Sequence, residues 1–197
     1  MPILNPELLE TFRGLLDDAR KAGDPEPTAM TLATVDDTGQ PSVRTVLLKA
    51  VDSDGFVFYT NTHSRKGEQL LANPRAALLF FWKTLPGQVQ VKVEGIAQPV
   101  SAAEADAYFA SRPRQSQIGA WASLQSQTLD SRATFEQRIA DYEREFAGGD
   151  VPRPPHWSGY RVQPQHIEFW HGAQFRLHER HVHDWVDGAW QHQMLYP

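Results

Sequence analysis

Residues 89–94 read Val-Gln-Val-Lys-Val-Glu, apolar and polar side chains alternating one by one. That two-residue period belongs to a strand with one buried face, because successive side chains on a helix turn by only about 100°. Shorter segments of β-type composition surround it: 29–35, 42–49, 56–60 and 76–82 before it, and stretches near Tyr160, 167–170, 175–180 and 190–195 after it. Turn-forming residues separate them, with Asp36-Asp37-Thr38-Gly39 closing one hairpin and Asp52-Ser53-Asp54-Gly55 another. The second turn predicts that 42–49 and 56–60 pair as neighbours. So many short strands in succession, with few helices between them, predict an antiparallel barrel.

The helices lie around this series. Leu8, Leu9, Phe12, Leu15, Leu16 and Ala19 recur at helical spacing within residues 6–22, which predicts an amphipathic helix packed on the main body. Three more are predicted: 64–73, ended by Pro74; one opened by Ser101 with Glu104 as a capping box; and 131–146, closed by Gly148-Gly149. At 197 residues the chain fits one domain, 1–197, divided into an N-terminal helical segment, 1–24, and a barrel with helices, 25–197.

The chain has no cysteine, which excludes disulfides, thiolate nucleophiles, iron–sulfur clusters and thiolate zinc sites. Redox chemistry would need a borrowed cofactor. A net charge of −5 argues against general nucleic-acid binding. No basic-then-apolar leader or membrane-length apolar run is present, so a cytoplasmic protein without membrane association is expected. The sequence contains no GxGxxG and no GxxxxGK[ST], so any phosphate must be held without a Rossmann turn or a P-loop.

Three places could hold an anion. Asn61-Thr62-His63-Ser64-Arg65-Lys66 marks a strand end that runs into a helix start, where free N–H groups and the helix dipole favour negative charge. Spacing alone favours an ordinary Ser64 N-cap there, with both cations solvated. Tyr108, Arg112 and Ser116 are four apart, but Pro113 ends the helix near Arg112 and leaves Ser116 on the following loop. Such a trio suits a phosphate monoester, though a tyrosine and an arginine at a helix end are more often structural. Arg176, His178 and Arg180 would share one face of a strand over 175–180, which fits either an anionic partner or a solvated face. The same period puts His178 opposite His181 and His183, and no metal site is expected.

Taken together, several motifs carry a resemblance: Arg44-Thr45-Val46-Leu47-Leu48-Lys49, Phe58-Tyr59-Thr60-Asn61, Ser64-Arg65-Lys66, Ser111-Arg112-Pro113 with Ser116-Gln117-Ile118-Gly119-Ala120, Gln125-Ser126, Ile167-Glu168-Phe169-Trp170 and Arg176-Leu177-His178-Glu179-Arg180. In order and spacing, from residue 28 to the end, they resemble the pyridoxamine 5'-phosphate oxidase family. The resemblance implies an FMN-binding split β-barrel, mainly β with peripheral helices, assembled as a homodimer with two FMN sites at the subunit interface. It implies FMN contacts from Arg44, Val46, Leu47, Lys49, Tyr59, Thr60, Arg65, Lys66, Gln90, Gln125, Ser126, Trp170 and Arg180. Substrate phosphate would meet Lys49, Tyr108, Arg112 and Ser116, and Arg176 and His178 would flank the pyridine ring as the catalytic pair. The stretch from Lys83 to Glu94 is longer than the family pattern, which brings in Gln88 as an alternative to Gln90; the match at Val91-Lys92-Val93-Glu94-Gly95 favours Gln90. The implied reaction oxidises pyridoxamine or pyridoxine 5'-phosphate to pyridoxal 5'-phosphate and reduces O2 to hydrogen peroxide.

Overall fold

A computed structural model describes residues 4–197. It contains nine strands: β1 (Ala29–Val35), β2 (Pro41–Leu47), β3 (Ala50–Asp52), β4 (Gly55–Asn61), β5 (Arg75–Trp82), β6 (Val89–Pro99), β7 (Trp157–His171), β8 (Glu179–Val186) and β9 (Ala189–Leu195). The helices are α1 (Pro6–Lys21), α2 (Arg65–Ala72), α3 (Ala102–Ser111), α4 (Arg114–Ala122) and α5 (Arg132–Glu145).

The strands hydrogen-bond in the order β2-β1-β5-β6-β7-β4-β3, all antiparallel, with β8 and β9 branching from β7. β2 and β3 stand at opposite ends of that path, yet only Leu48 and Lys49 join them. Two residues span less than about 8 Å, so the sheet must curl until its ends meet. Leu48 N–H donates to Thr28 O on one side (2.9 Å) and Lys49 N–H to Val57 O on the other (2.8 Å). The expected pairing of 42–49 with 56–60 is therefore wrong: β2 pairs with β1, and the short β3 takes the place beside β4.

β7 divides the sheet. β6 follows it on one side, while on the other Trp157 to Val162 pair with β4 and His166 to His171 pair with β8. At the changeover stands Pro164, which has no N–H to offer a neighbour, opposite a register shift at Glu94/Gly95. A Cβ on Gly95 would lie 2.0 Å from Gln163 O, so only glycine permits this close approach.

The core fills the curl. Leu8, Phe12, Leu16 and Ala19 form the buried stripe of α1, and Phe12 meets Phe56 (4.9 Å), Phe80 (5.0 Å) and Trp82 (5.9 Å) between ring centroids. Asn5 caps this helix through Oδ1, which accepts from Leu8 N–H at 2.8 Å. Ser101 caps α3, but the reciprocal half of the expected capping box does not form; Glu104 instead accepts from Arg161 on β7.

Candidate active site

The cavity that gathers most of the expected residues has a volume of about 800 Å³. It lies between the end of β2, the end of β4, the start of α2 and the α3–α4 pair. Val46, Leu47, Lys49, Tyr59, Thr60, Lys66, Gln125, Tyr108, Arg112 and Ser116 all line it. Pro113 ends α3 as expected, but it also starts α4, so Ser116 sits on a helix rather than on a loop.

At the α2 end of the cavity stand three cations, Arg44, Arg65 and Lys66, of which Lys66 lines it. Arg44 is held by Leu32 O, Thr34 Oγ1 and Gln69 Oε1, all neutral acceptors. Lys66 Nζ, in the first turn of α2, reaches Gln125 Oε1 (2.8 Å), Thr60 Oγ1 (3.1 Å) and Ser64 Oγ (3.1 Å). Burial, with Arg44 nearby, depresses Lys66 from 10.5 to about 8. Burial and then Arg65 lower Arg44 as well. Among the described residues none of these three cations forms a salt bridge; the Asp36 carboxylate acts on Arg65 at longer range, while Arg44 and Lys66 are met by neutral acceptors alone, so the pair is short of an anion. The α2 N-terminus is drawn in tightly: a Cβ on Gly67 would stand 2.2 Å from Thr62 O.

Another part of the lining is an aromatic stack that carries a further cation, Arg112. Tyr59 lies on Tyr108 (4.0 Å, 12°) and on Trp157 (5.2 Å, 5°), with its ring flat over Gly159, where a Cβ would be 2.7 Å away. Burial, followed by Glu104, pushes the Tyr59 hydroxyl up to about 12. The Arg112 guanidinium stands 4.8 Å over Trp157 and 5.6 Å from Phe109. Its Nη1 is buried without a hydrogen-bond partner. Burial lowers its pKa.

The remaining expected residues assemble elsewhere. Gln90, Trp170 and Arg180 are register partners across β6, β7 and β8. Arg180 donates to Glu168 Oε1 through Nε (2.7 Å) and to Oε2 through Nη2 (3.1 Å), and Lys92 also donates to Oε2 (2.7 Å). Burial by itself would raise Glu168, but the hydrogen bonds from Arg180 and Lys92 outweigh it and hold the carboxyl below its ordinary value. His178 packs on Trp170 at 4.5 Å, and its Nδ1 accepts from Ala173 N–H at 3.1 Å. Gln88 lines the groove beside Trp170 and His178. Arg65 and Ser126 are exposed outside the cavity lining, as is Arg176.

The expected strand over 175–180 does not exist. Gln174–Arg176 is a 3-10 turn in which Phe175 (φ 56°) and Arg176 (φ 62°) are left-handed, and β8 begins only at Glu179. Two consecutive left-handed non-glycine residues interrupt the two-residue period, so Arg176 and Arg180 do not share a strand face. Trp157 and Glu168 went unassigned in the sequence. A charged residue inside the apolar run Ile167-Glu168-Phe169-Trp170 was a legible sign of a buried partner; nothing local marked Trp157.

Trp157 borders the cavity and Trp170 the second group, at opposite ends of β7. Thirteen residues of strand amount to roughly 40 Å of contour.

Residues 16–144 match the family model described as pyridoxamine 5'-phosphate oxidase, and 157–197 match the pyridoxine 5'-phosphate oxidase C-terminal dimerisation region. A Xanthomonas euvesicatoria pv. vesicatoria protein named pyridoxine/pyridoxamine 5'-phosphate oxidase is 56% identical over 200 residues, covering 100% of both chains. A Myxococcus xanthus protein of the same name is 54% identical over 195 residues, 99% of this chain and 94% of its own. Among solved structures, PhzG from Burkholderia lata 383, in complex with tetrahydrophenazine-1-carboxylic acid, superposes with a TM-score of 0.91 at 30% identity, covering 99% of this chain and 98% of its own. With family models matched over residues 16–144 and 157–197 and full-length relatives above 50% identity, the chain belongs to the pyridoxamine 5'-phosphate oxidase family.

Proposed function

We propose that the protein is an FMN-dependent oxidase that converts pyridoxamine 5'-phosphate and pyridoxine 5'-phosphate to pyridoxal 5'-phosphate, reducing O2 to hydrogen peroxide, and that it acts as a homodimer. The observation that carries this reading is Arg112: a half-buried guanidinium, held over Trp157 with its Nη1 buried and unpartnered, at the wall of a cavity that also presents Lys49, Tyr108 and Ser116. A phosphate monoester supplies the acceptors that this set lacks.

The cations Arg44, Arg65 and Lys66 at the α2 N-terminus fit the phosphate of FMN; among the described residues none of them is tied up in a salt bridge, although the Asp36 carboxylate acts on Arg65. Val46, Leu47, Tyr59, Thr60, Gln125 and Ser126 would complete that half of the flavin site. Gln90, Trp170 and Arg180 would come from the other copy, with Arg176 and His178, since one chain holds the two groups at opposite ends of β7. The register of Gln90 with Trp170 supports Gln90 over Gln88. Bound FMN would supply the two-electron oxidation and the return of those electrons to dioxygen. The chain's own residues anchor the phosphate, hold the pyridine ring in place and exclude water from the aromatic-walled side. Arg176 would favour charge developing near the reacting carbon. His178, its Nδ1 committed to Ala173 N–H, would present Nε2–H.

A related oxidase acting on a different ring, as the likeness to PhzG suggests, is the second reading; the Tyr108, Arg112 and Ser116 set favours a phosphorylated substrate. The test is an aerobic assay of the FMN-loaded protein on pyridoxamine 5'-phosphate, following aldehyde and peroxide together, with pyridoxamine as control. Equal yields from the phosphorylated substrate alone are expected. No turnover, or equal turnover of both compounds, would overturn the proposal.

A further inference from the structure

Away from the cavity, three imidazoles gather on the β8–β9 hairpin. His181 and His183 are two residues apart on β8, and His192 on β9 stands opposite His183 in register. The His192 ring stacks against both, 5.3 Å from His181 and 4.7 Å from His183 between centroids. His181 Nδ1 lies 3.1 Å from His192 Nε2. On its other side, His181 Nε2 is hydrogen-bonded to Glu179 Oε1. An ionised carboxylate can only accept, so Nε2 of His181 carries the proton and Nδ1 turns a lone pair toward His192, whose Nε2–H donates to it; a metal ion would take the place of that proton, which moves to Nδ1 of His192 or to water.

A histidine backed by a carboxylate, with its free nitrogen directed at a second imidazole, has the arrangement of a metal ligand with its outer-shell partner. Two nitrogens bound at about 2.05 Å to one tetrahedral ion stand roughly 3.3 Å apart. The separation here is close to that. We propose that His181 and His192 form a two-nitrogen site for a divalent transition-metal ion of imidazole preference, Zn²⁺ or Cu²⁺, with water completing the coordination. Among the described residues no group of three ligands already converges on one point, which is why the chelate is limited to two protein nitrogens. His183 stacks on His192, and the carboxylates of Glu7, from α1, and Asp184 act on His183. The expectation of no metal site rests on His178 facing away from His181 and His183; the fold brings His192 from the next strand and Glu179 from the same face to His181. A bound ion would tie β8 to β9 beside Arg180, whose Nη1 also donates to Tyr196 O past the end of β9.

The test is calorimetric titration of untagged, metal-free, FMN-loaded protein with ZnCl2 and with CuCl2. One ion per chain is expected. Affinity should fall roughly tenfold or more in His181→Asn and His192→Asn, fall by about tenfold in Glu179→Gln, and stay unchanged in His63→Asn. His192 is exposed, so H192N keeps its fold and carries the test even if H181N does not. Absence of saturable binding, or binding insensitive to H192N, would overturn the proposal.

Discussion

Replacing Arg112 with methionine separates a binding role from a structural one. Methionine keeps an unbranched chain against Trp157 and Phe109 and removes only the charge and the donors. If the guanidinium makes two charge-assisted hydrogen bonds to a phosphate, each worth about 1.5–3 kcal/mol, the loss is about 3–6 kcal/mol. That corresponds to roughly two to four orders of magnitude in kcat/KM for the phosphorylated substrate. Because phosphate anchoring acts equally on bound substrate and transition state, the loss should appear in KM with kcat little changed. Stability should move differently. A buried donor without a partner costs about 1–3 kcal/mol, and stacking on the indole returns about 0.5–2 kcal/mol. R112M should therefore melt within a few degrees of the parent or above it, at about 2–4 °C per kcal/mol. The assay is steady-state oxidation of pyridoxamine 5'-phosphate alongside thermal melting of the same FMN-loaded preparations. A variant that melts more than about 5 °C lower with an unchanged KM would show that Arg112 braces the aromatic wall and does not bind phosphate.

Lys66, depressed to about 8, must be charged to hold a phosphate, so FMN affinity should be full below pH 8 and fall as pH rises through it, by roughly tenfold at pH 9. Flavin fluorescence quenching measures this, and a flat profile would remove Lys66 from the site. Gly67→Ala drives a Cβ into Thr62 O and should lower the melting temperature by roughly 5–10 °C, while Gly14→Ala, with open space on α1, should not lower it. Melting curves of the two variants decide. Mixing Arg112→Met and Arg176→Ala subunits should restore about one quarter of parental activity, since half of the dimers are mixed and each has one intact composite site. No recovery on mixing would place both residues in the same chain's site.

Legibility in the sequence followed the range of the interactions. β1 spans the expected residues, and α1 ends one residue short of expectation, because each is set by its own period and caps. α4 differs from expectation: it opens on the polar run Arg114 to Gln117 directly after a proline, which marks a helix end as readily as a start. β7 read as two strands because Pro164 breaks the pattern locally, whereas the continuous ladder with β6 carries the strand through it. The Arg176 segment shows the reverse error. Its two-residue spacing imitated a strand, and only the left-handed pair at Phe175 and Arg176 reveals that the chain turns there. The cavity residues could be named individually from their motifs, but that Trp157 supports both Tyr59 and Arg112 depends on pairing β4 with β7, a contact about 100 residues long in sequence.

The split in β7 links the fold to the proposed chemistry. A closed barrel would keep β4 beside β7 along its whole length and leave no edge for β8. Pro164 and the Gly95 irregularity instead end the β4 pairing at Val162 and start the β8 pairing at His166. The cationic wall is thereby fixed at one end of the strand and Trp170, His178 and Arg180 at the other. Each end holds an incomplete site: cations without an anion at the first, an aromatic and two basic side chains at the second. On the proposed reading, a second copy brings the complementary end, and the flavin binds only where two chains meet. Ligand and dimer must then stabilise each other by mass action, so dilution that separates the subunits also releases FMN, and FMN in excess opposes that separation.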